Sequence, residues 1–516
     1  MARLNNIGSA LVAGVLSISA LPVANAQDQA AAAIRDSTYA SAVAARHILE
    51  RAIQAMGGQG TLDSITDIER TLVGKRVGIG QSSAPDAPFR TAPVILHDIV
   101  EPKSGRFVND MSTGNTRNII VARDRSSANM IVPSQKLVGI APPTLTGYSR
   151  PVPAPYRYPE MWLPIALNRA ASLRSLGQTN VDGRMLNRVA FADGFGTMYT
   201  LSFDAASGLP AYLEWLTDET LYSVAGDLPR EVVYSDYRDV HGFKSPFRYT
   251  VLYARDTLED LAVSDIAVNT HPADSLFAVP EGYAKMPLPN GPLLDVQKLA
   301  DDVYFVRAPY NSMFVVFNEY VLVIEAPLND FLTQATIAAI KKTAPGKAIR
   351  YVVPTHYHHD HIGGLRGYGA EGAIVVTTAG IEPEIERLVH ATRLRPDALA
   401  LHPRDLHVER FNGKRVFADG SHRVELYNIG PTIEANDLVI AYVPAAKALY
   451  EADEFDISTG ELPPAGPATI ELAQKIDSLH LDVETIIPTH GRRGTMADLK
   501  KALSLRRDSI STRSER

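Results

Sequence analysis

Positions 356–361 read His-Tyr-His-His-Asp-His and hold four of the chain's 14 histidines. Imidazole nitrogens gathered with a carboxylate suit a borderline divalent ion such as zinc. The chain has no cysteine, so any metal site must be built from His, Asp and Glu. The run follows the β-branched stretch Ile349 to Val353 and opens into Ile362-Gly363-Gly364. A regular strand would send successive side chains to opposite faces. A loop leaving the end of a strand can turn several toward one point. An ion held there would polarise a carbonyl or bring the pKa of a bound water down toward about 7. A neighbouring histidine, which titrates near neutral pH, is suited to take the proton.

The spacing of His356, His358, Asp360 and His361 resembles the His-x-His-x-Asp-His pattern of the metallo-β-lactamase superfamily. The likeness continues on both sides. Tyr310-Asn311-Ser312-Met313 and Val323-Ile324-Glu325-Ala326-Pro327 resemble the family's opening hairpin. Leu438 to Pro444, followed by Leu449-Tyr450-Glu451-Ala452-Asp453, resembles the strands that end in a bridging aspartate. Ile486-Ile487-Pro488-Thr489-His490-Gly491 resembles the strand that carries the last histidine. The resemblance covers about 293–510. It implies an αββα sandwich with metal ligands His356, His358, Asp360, His361, Asp453 and His490, and catalytic roles for Asp360, His356 and His358. The activity implied is metal-dependent hydrolysis of an ester, thioester, lactone or amide carbonyl.

One position departs from the family pattern. The first metal site takes a third histidine from a Gly-Pro-x-His turn, but here the turn reads Gly430-Pro431-Thr432-Ile433-Glu434. Counted back from Leu438, Ile433 stands where the histidine belongs, and isoleucine cannot ligate. Three readings stay open. One ion sits at Asp360, His361 and His490, with His356 and His358 as free imidazoles beside it. Glu434 swings in as a substitute ligand. Or the site is degenerate, and the fold serves a non-catalytic protein that binds an apolar ligand. Ligand count favours an incomplete first site, so the expected cofactor is Zn2+, one ion ahead of two. Oxidative chemistry like that of iron-dependent sulfur dioxygenases would depend on the damaged site and ranks last. β-Lactam cleavage is not preferred either, because fold alone does not fix substrate.

His359 occupies the variable position of the motif and is expected to point away. The scattered histidines, such as His47, His241 and His402, read as surface groups. Trp162, Tyr156 and Tyr158 read as core aromatics.

Strands and helices must hold these residues in place, and after residue 293 they alternate. Strands are expected at 303–306, 313–317, 320–324 and 349–353. Helices are expected at 331–343, about 379–391, 467–479 and about 495–506, an α/β pattern. From about 67 to 280 the pattern is mainly antiparallel β, as in the alternating runs Met198 to Phe203, Glu231 to Tyr237 and Phe247 to Tyr253. In layout, though not in motif, this region resembles the curved sheets of periplasmic lipoprotein carriers, which hold an apolar ligand. Residues 142–159 contain six prolines and read as an irregular loop. A helix is expected around Leu49, Ala52, Ile53 and Met56, ended by Gly57-Gly58. Residues 27–42 before it read as a flexible leader.

At the N-terminus, Arg3, the apolar run Ile7 to Val23 and Ala24-Asn25-Ala26 read as a secretory signal cut after Ala26. The expected plan is therefore a signal at 1–26, a β-rich domain at 27–285, a Pro-rich linker at 286–292 and the metal domain at 293–510. A cleaved signal implies a periplasmic or secreted protein with no membrane span after cleavage. With a net charge of −7 and no basic stripe, nucleic acid is not an expected partner. The expected partner is a small-molecule substrate, apolar if the carrier likeness holds. Substrate and oligomeric state are not legible in the sequence.

Overall fold

The computed structural model of the protein describes residues 23–514, apart from 115, 125–127, 141–156, 194–196, 218–223, 225, 286–293, 395, 421 and 458–461. Most of the expected signal, the whole of the expected linker and most of the proline-rich loop lie outside the described residues. The described end of that loop is already regular, because Pro159 opens the helix Pro159–Leu167.

The N-terminal half is one 14-stranded sheet. Its strands pair antiparallel except at the two-residue strand Ala284–Lys285, which runs parallel to Leu137–Ile140. Alternation explains which face is covered. In Phe243–Tyr253, the residues Phe243, Ser245, Tyr249, Val251 and Tyr253 are buried, at a period of two. Strand Ile68–Val77 lies between Thr91–Val100 and Asp256–Val268.

Two helices pack with the buried side chains of this sheet. The first runs from Val23 to Ala55, so the flexible leader expected over 27–42 is instead helical. The physical reason is composition: the stretch is rich in alanine, the best helix former, and that outweighs its polar look. Ala45, Leu49, Ala52, Ile53 and Met56 enter the core, and Ser41 Oγ donates to the carbonyl of Ser175 at 3.1 Å. The second helix, Pro159–Leu167, buries Trp162 completely, with its Nε1 donating to the Tyr234 hydroxyl at 3.1 Å. The same helix brings Glu160 to 2.6 Å from Arg70, an ion pair sealed inside the domain.

The C-terminal half is an αββα sandwich. A seven-stranded sheet runs in chain order from Asp295–Ala300 through Val303–Arg307, Ser312–Val316, Tyr320–Ile324, Ala348–Val353 and Ile374–Thr377 to Val408–Arg410. A six-stranded sheet runs in chain order from Lys414–Asp419 through His422–Asn428, Val439–Val443, Ala448–Glu451 and Thr485–Pro488 to Gly494–Thr495. Strands such as Ser312–Val316 and Val439–Val443 are buried along their whole length, which explains their continuous apolar runs. Val323, Val353, Leu426, Ala441 and Ile487 meet in one core between the sheets. Helix Asp330–Thr343 adds Ile337 and Ile340 to that core, and its first turn is capped by the side chain of Asn329. Helices Pro467–Ser478 and Met496–Ser514 pack on the second sheet through Leu472, Ile476, Leu499 and Ala502.

Candidate metal centre

The site forms where loops leave the ends of strands from both sheets. After Ala348–Val353 the chain turns through Thr355 to His358 and makes a single helical turn, His359–Ile362, which aims Asp360 and His361. Asp453 follows Ala448–Glu451 with a positive φ of 65°, a conformation aspartate tolerates better than most residues. His490 follows Thr485–Pro488. Glu434 lies on the loop between His422–Asn428 and Val439–Val443.

Asp453 is the centre of the arrangement. Its Oδ2 lies 3.1 Å from His361 Nε2 and 3.3 Å from His356 Nε2, and its Oδ1 lies 2.9 Å from His490 Nε2. On one side His356, His358, Glu434 and Asp453 each offer a ligand atom within 4.8 Å of the others. On the other side Asp360, His361 and His490 do the same. Within that group His361 Nε2 and His490 Nε2 stand 3.6 and 3.7 Å from Asp360 Oδ2, and Asp453 joins the two groups through its approach to His361 and His490.

All six residues expected as ligands therefore converge. The expectation of an incomplete first site rested on Ile433, whose side chain is 46% exposed. The next residue reaches the site instead, with Glu434 Oε1 3.2 Å from His358 Nδ1. A carboxylate stands where the family pattern has an imidazole.

The donor set fits a divalent cation on an independent ground. His356 Nε2 and His358 Nδ1 are buried and have no hydrogen-bond partner, yet both face the carboxylates of Asp453 and Glu434. Buried polar atoms without partners are costly, and a shared cation satisfies both at once.

Electrostatics hold the ligands close to the states a metal needs. Burial alone would neutralise Asp453, but His361, with His356 and His490, keeps its carboxyl well below the usual range. Burial likewise opposes Asp360, and His361 lowers it. Burial and the neighbouring His356 push His358 well below the usual imidazole value, toward the neutral ligating form. His361 goes the other way: burial disfavours its charge, but Asp453, Asp360 and Glu325 raise it well above normal. Burial and Asp453 raise Glu434. A bound cation would compete with the proton on His361 and favour the ionised form of Glu434.

The surrounding groups orient the ligands. Glu325 is fully buried; its Oε2 lies 3.0 Å from His361 Nδ1 and accepts from Thr355 Oγ1 at 2.6 Å and Thr489 Oγ1 at 3.1 Å. With Nδ1 so engaged, His361 presents Nε2 to the centre. His358 is turned the opposite way: Nε2 lies 2.7 Å from the Ser82 carbonyl, and Nδ1 faces inward. Gln81 Nε2 donates to Asp360 Oδ1 at 2.7 Å. His359 points away from the centre, as its motif position implies, with Nε2 2.7 Å from Glu384. Trp162 and Tyr158 are core aromatics, fully buried in the other domain.

Glu325, Gln81 and Ser82 were not among the residues singled out from sequence. An acid closing the apolar run Tyr320–Ile324 was a signal for Glu325. Gln81 and Ser82 come from the N-terminal domain, and nothing in their local sequence marks them. The centre is open on one side, where the side chains of His490, Glu434 and Asp453 keep 24, 24 and 17% exposure. Tyr310 stands there, its ring edge-on to His490 at 4.6 Å.

The family model of the metallo-beta-lactamase superfamily matches residues 307–491. Among solved structures, a metallo-beta-lactamase from Pontibacter korlensis is 22% identical with a TM-score of 0.32, over 42% of this chain and 99% of that chain. The DIM-1 metallo-beta-lactamase is 18% identical with the same TM-score, over 42% of this chain and 99% of that chain. No curated protein matches the chain.

Proposed function

We propose, from the premise that residues 307–491 belong to the metallo-beta-lactamase superfamily, that this protein is an exported hydrolase with a two-metal centre, acting on an ester, thioester, lactone or amide carbonyl. The observation that carries the two-metal form is the approach of Glu434 to His358 at 3.2 Å. Zinc, when bound, would supply a Lewis acid for the carbonyl and an acidified water as nucleophile. His356, His358 and Glu434 would hold one ion and Asp360, His361 and His490 the other, with Asp453 shared between them. Asp453 is also placed to orient the attacking water. Tyr310, kept protonated by burial and by Asp360 and Asp453, is placed to donate a hydrogen bond to a substrate entering by the open side. The approach of Glu434 to His358 supports this reading over the alternative that Ile433 motivates, a non-catalytic apolar-ligand binder.

Export is supported by the N-terminal run that ends in Ala24-Asn25-Ala26. Among the described residues no helix is long and apolar enough to cross a membrane. A substrate held in the β domain has less support, because the helices Val23–Ala55 and Pro159–Leu167 share the core of its sheet.

The test is metal content by elemental mass spectrometry on the wild type and Asp360→Ala, followed by turnover of a panel of aryl ester, thioester, lactone and β-lactam substrates. Two zinc ions per wild-type chain, fewer in the variant, and turnover that chelation abolishes are expected. A wild type that stays metal-free when zinc is supplied would sink the hydrolase reading.

A further inference from the structure

Strands Ile68–Val77 and Thr91–Val100 are antiparallel neighbours. A hairpin of that kind closes with about two to five residues, but here the connection runs from Gly78 to Arg90. The extra length leaves the N-terminal domain and enters the metal centre. Its backbone is tied to both halves of the sandwich. The Gly80 carbonyl accepts from His359 N at 3.3 Å, and the Ser83 carbonyl accepts from Asn436 N at 2.8 Å. The Tyr357 hydroxyl bonds to the Ser82 and Ala84 carbonyls. Arg90 donates to the carbonyls of Ile433 and Glu434, and Asp86 pairs with Arg387. The connection braces itself as well, since Ser82 Oγ donates to the Gly78 carbonyl at 2.7 Å and accepts from Arg90 N at 2.9 Å. At Gly80 φ is +66°, and a Cβ would lie 2.5 Å from the buried His359 ring.

Two contacts from this segment fall on the candidate ligands. Gln81 Nε2 occupies Asp360 Oδ1 and leaves Oδ2 to face His361 and His490. The Ser82 carbonyl accepts a hydrogen bond from His358 Nε2–H and leaves Nδ1 to face Glu434. One contact serves each half of the centre. Groups that fix the orientation of a ligand commonly change metal affinity by about 10–100-fold when removed.

We infer that the segment 78–90 of the N-terminal domain brings two working groups to the metal centre, Gln81 as the positioning residue for Asp360 and the Ser82 carbonyl as the positioning group for His358. This rests on the two-metal reading above. The N-terminal domain then sets metal affinity, and its inserted segment walls the centre so that substrate enters on the side of Tyr310, His490 and Glu434.

The test uses full-length protein and measures zinc affinity by competition with a chromophoric chelator. Gln81→Ala is expected to weaken one of the two zinc ions by about 10–100-fold. Asp86→Ala removes a contact of the same segment that touches no ligand, and is expected to leave both affinities unchanged. Gly80→Val, which forces the segment off His359, is expected to weaken both ions. Wild-type affinity in Gln81→Ala overturns the inference while leaving the hydrolase reading intact. An equal loss in Asp86→Ala also overturns it, because the segment would then act through docking alone. A wild type that binds no zinc overturns both readings.

Discussion

Glu434 Oε1 lies 3.2 Å from His358 Nδ1, although the residue aligned with the family's missing ligand is its neighbour Ile433. The loop offers the position after the expected one, and a carboxylate replaces an imidazole. Glu434→Ala should therefore reduce bound zinc from two ions per chain toward one. Ile433→His should add none, because that residue is 46% exposed. Elemental analysis of the two variants beside the wild type separates the outcomes. A gain of metal in Ile433→His, with none lost in Glu434→Ala, would show that the loop carries the family's register after all.

Glu325 touches no expected substrate position, yet it fixes His361 and ties Thr355 to Thr489. Its replacement by glutamine keeps the shape and removes the negative charge behind the imidazole. Zinc affinity should fall by about 10–100-fold. Glu325→Ala should also destabilise the domain, since each buried polar group left without its partner costs about 1–3 kcal/mol. Chelator competition and urea denaturation measure the two effects separately. Unchanged affinity in Glu325→Gln would remove the residue from the centre.

Acid sensitivity has a source outside the centre. Burial would raise Glu425, but Lys414 at 2.8 Å, the Tyr427 hydroxyl and Arg423 at 2.5 Å bring it down to about 2. Its folded value lies below its unfolded one. The stabilisation it contributes is therefore complete above about pH 4.5 and is lost as pH falls toward 2. Solvent near the strand edge moderates the effect. Glu425→Gln should flatten the acid limb of stability between those values and lower stability at neutral pH. The check is urea denaturation at a series of pH values. An unchanged acid limb would mean that the ion pair contributes nothing.

The legible part of this protein is the part whose chemistry is compact in sequence. His356, His358, Asp360 and His361 fall within six positions, and their place at a strand end follows from Ile349 to Val353 alone. Asp453 and His490 are distant, but each follows a short buried strand in the order the family pattern implies. The strands at 303–306 and 320–324 are visible as short continuous apolar runs, and the helix at 331–343 by its helical period. Glu434 stands next to the expected ligand position, but whether a loop residue turns in or out depends on loop geometry, which periodicity does not encode. The helix over Val23–Ala55 was read in part as a leader because its N-terminal half has no apolar stripe, only alanine propensity. Gln81 was beyond reach for a simpler reason: 279 positions separate it from Asp360, and only the packing of one domain on the other brings them together.

The inserted segment between Gly78 and Arg90 also bears on how such a chain can be cut and recombined. A fragment spanning 293–510 would keep all seven candidate metal-binding side chains, yet it would lack the amide that faces Asp360 and the carbonyl that faces His358. A graft of the sandwich onto another β domain would have the same gap unless that hairpin arm travelled with it. The boundary that composition marks near residue 290 separates the strands of the 14-stranded sheet from those of the sandwich, yet the candidate metal centre takes groups from both sides of it. A change in the first hundred residues that never approaches substrate can still alter what the last two hundred do.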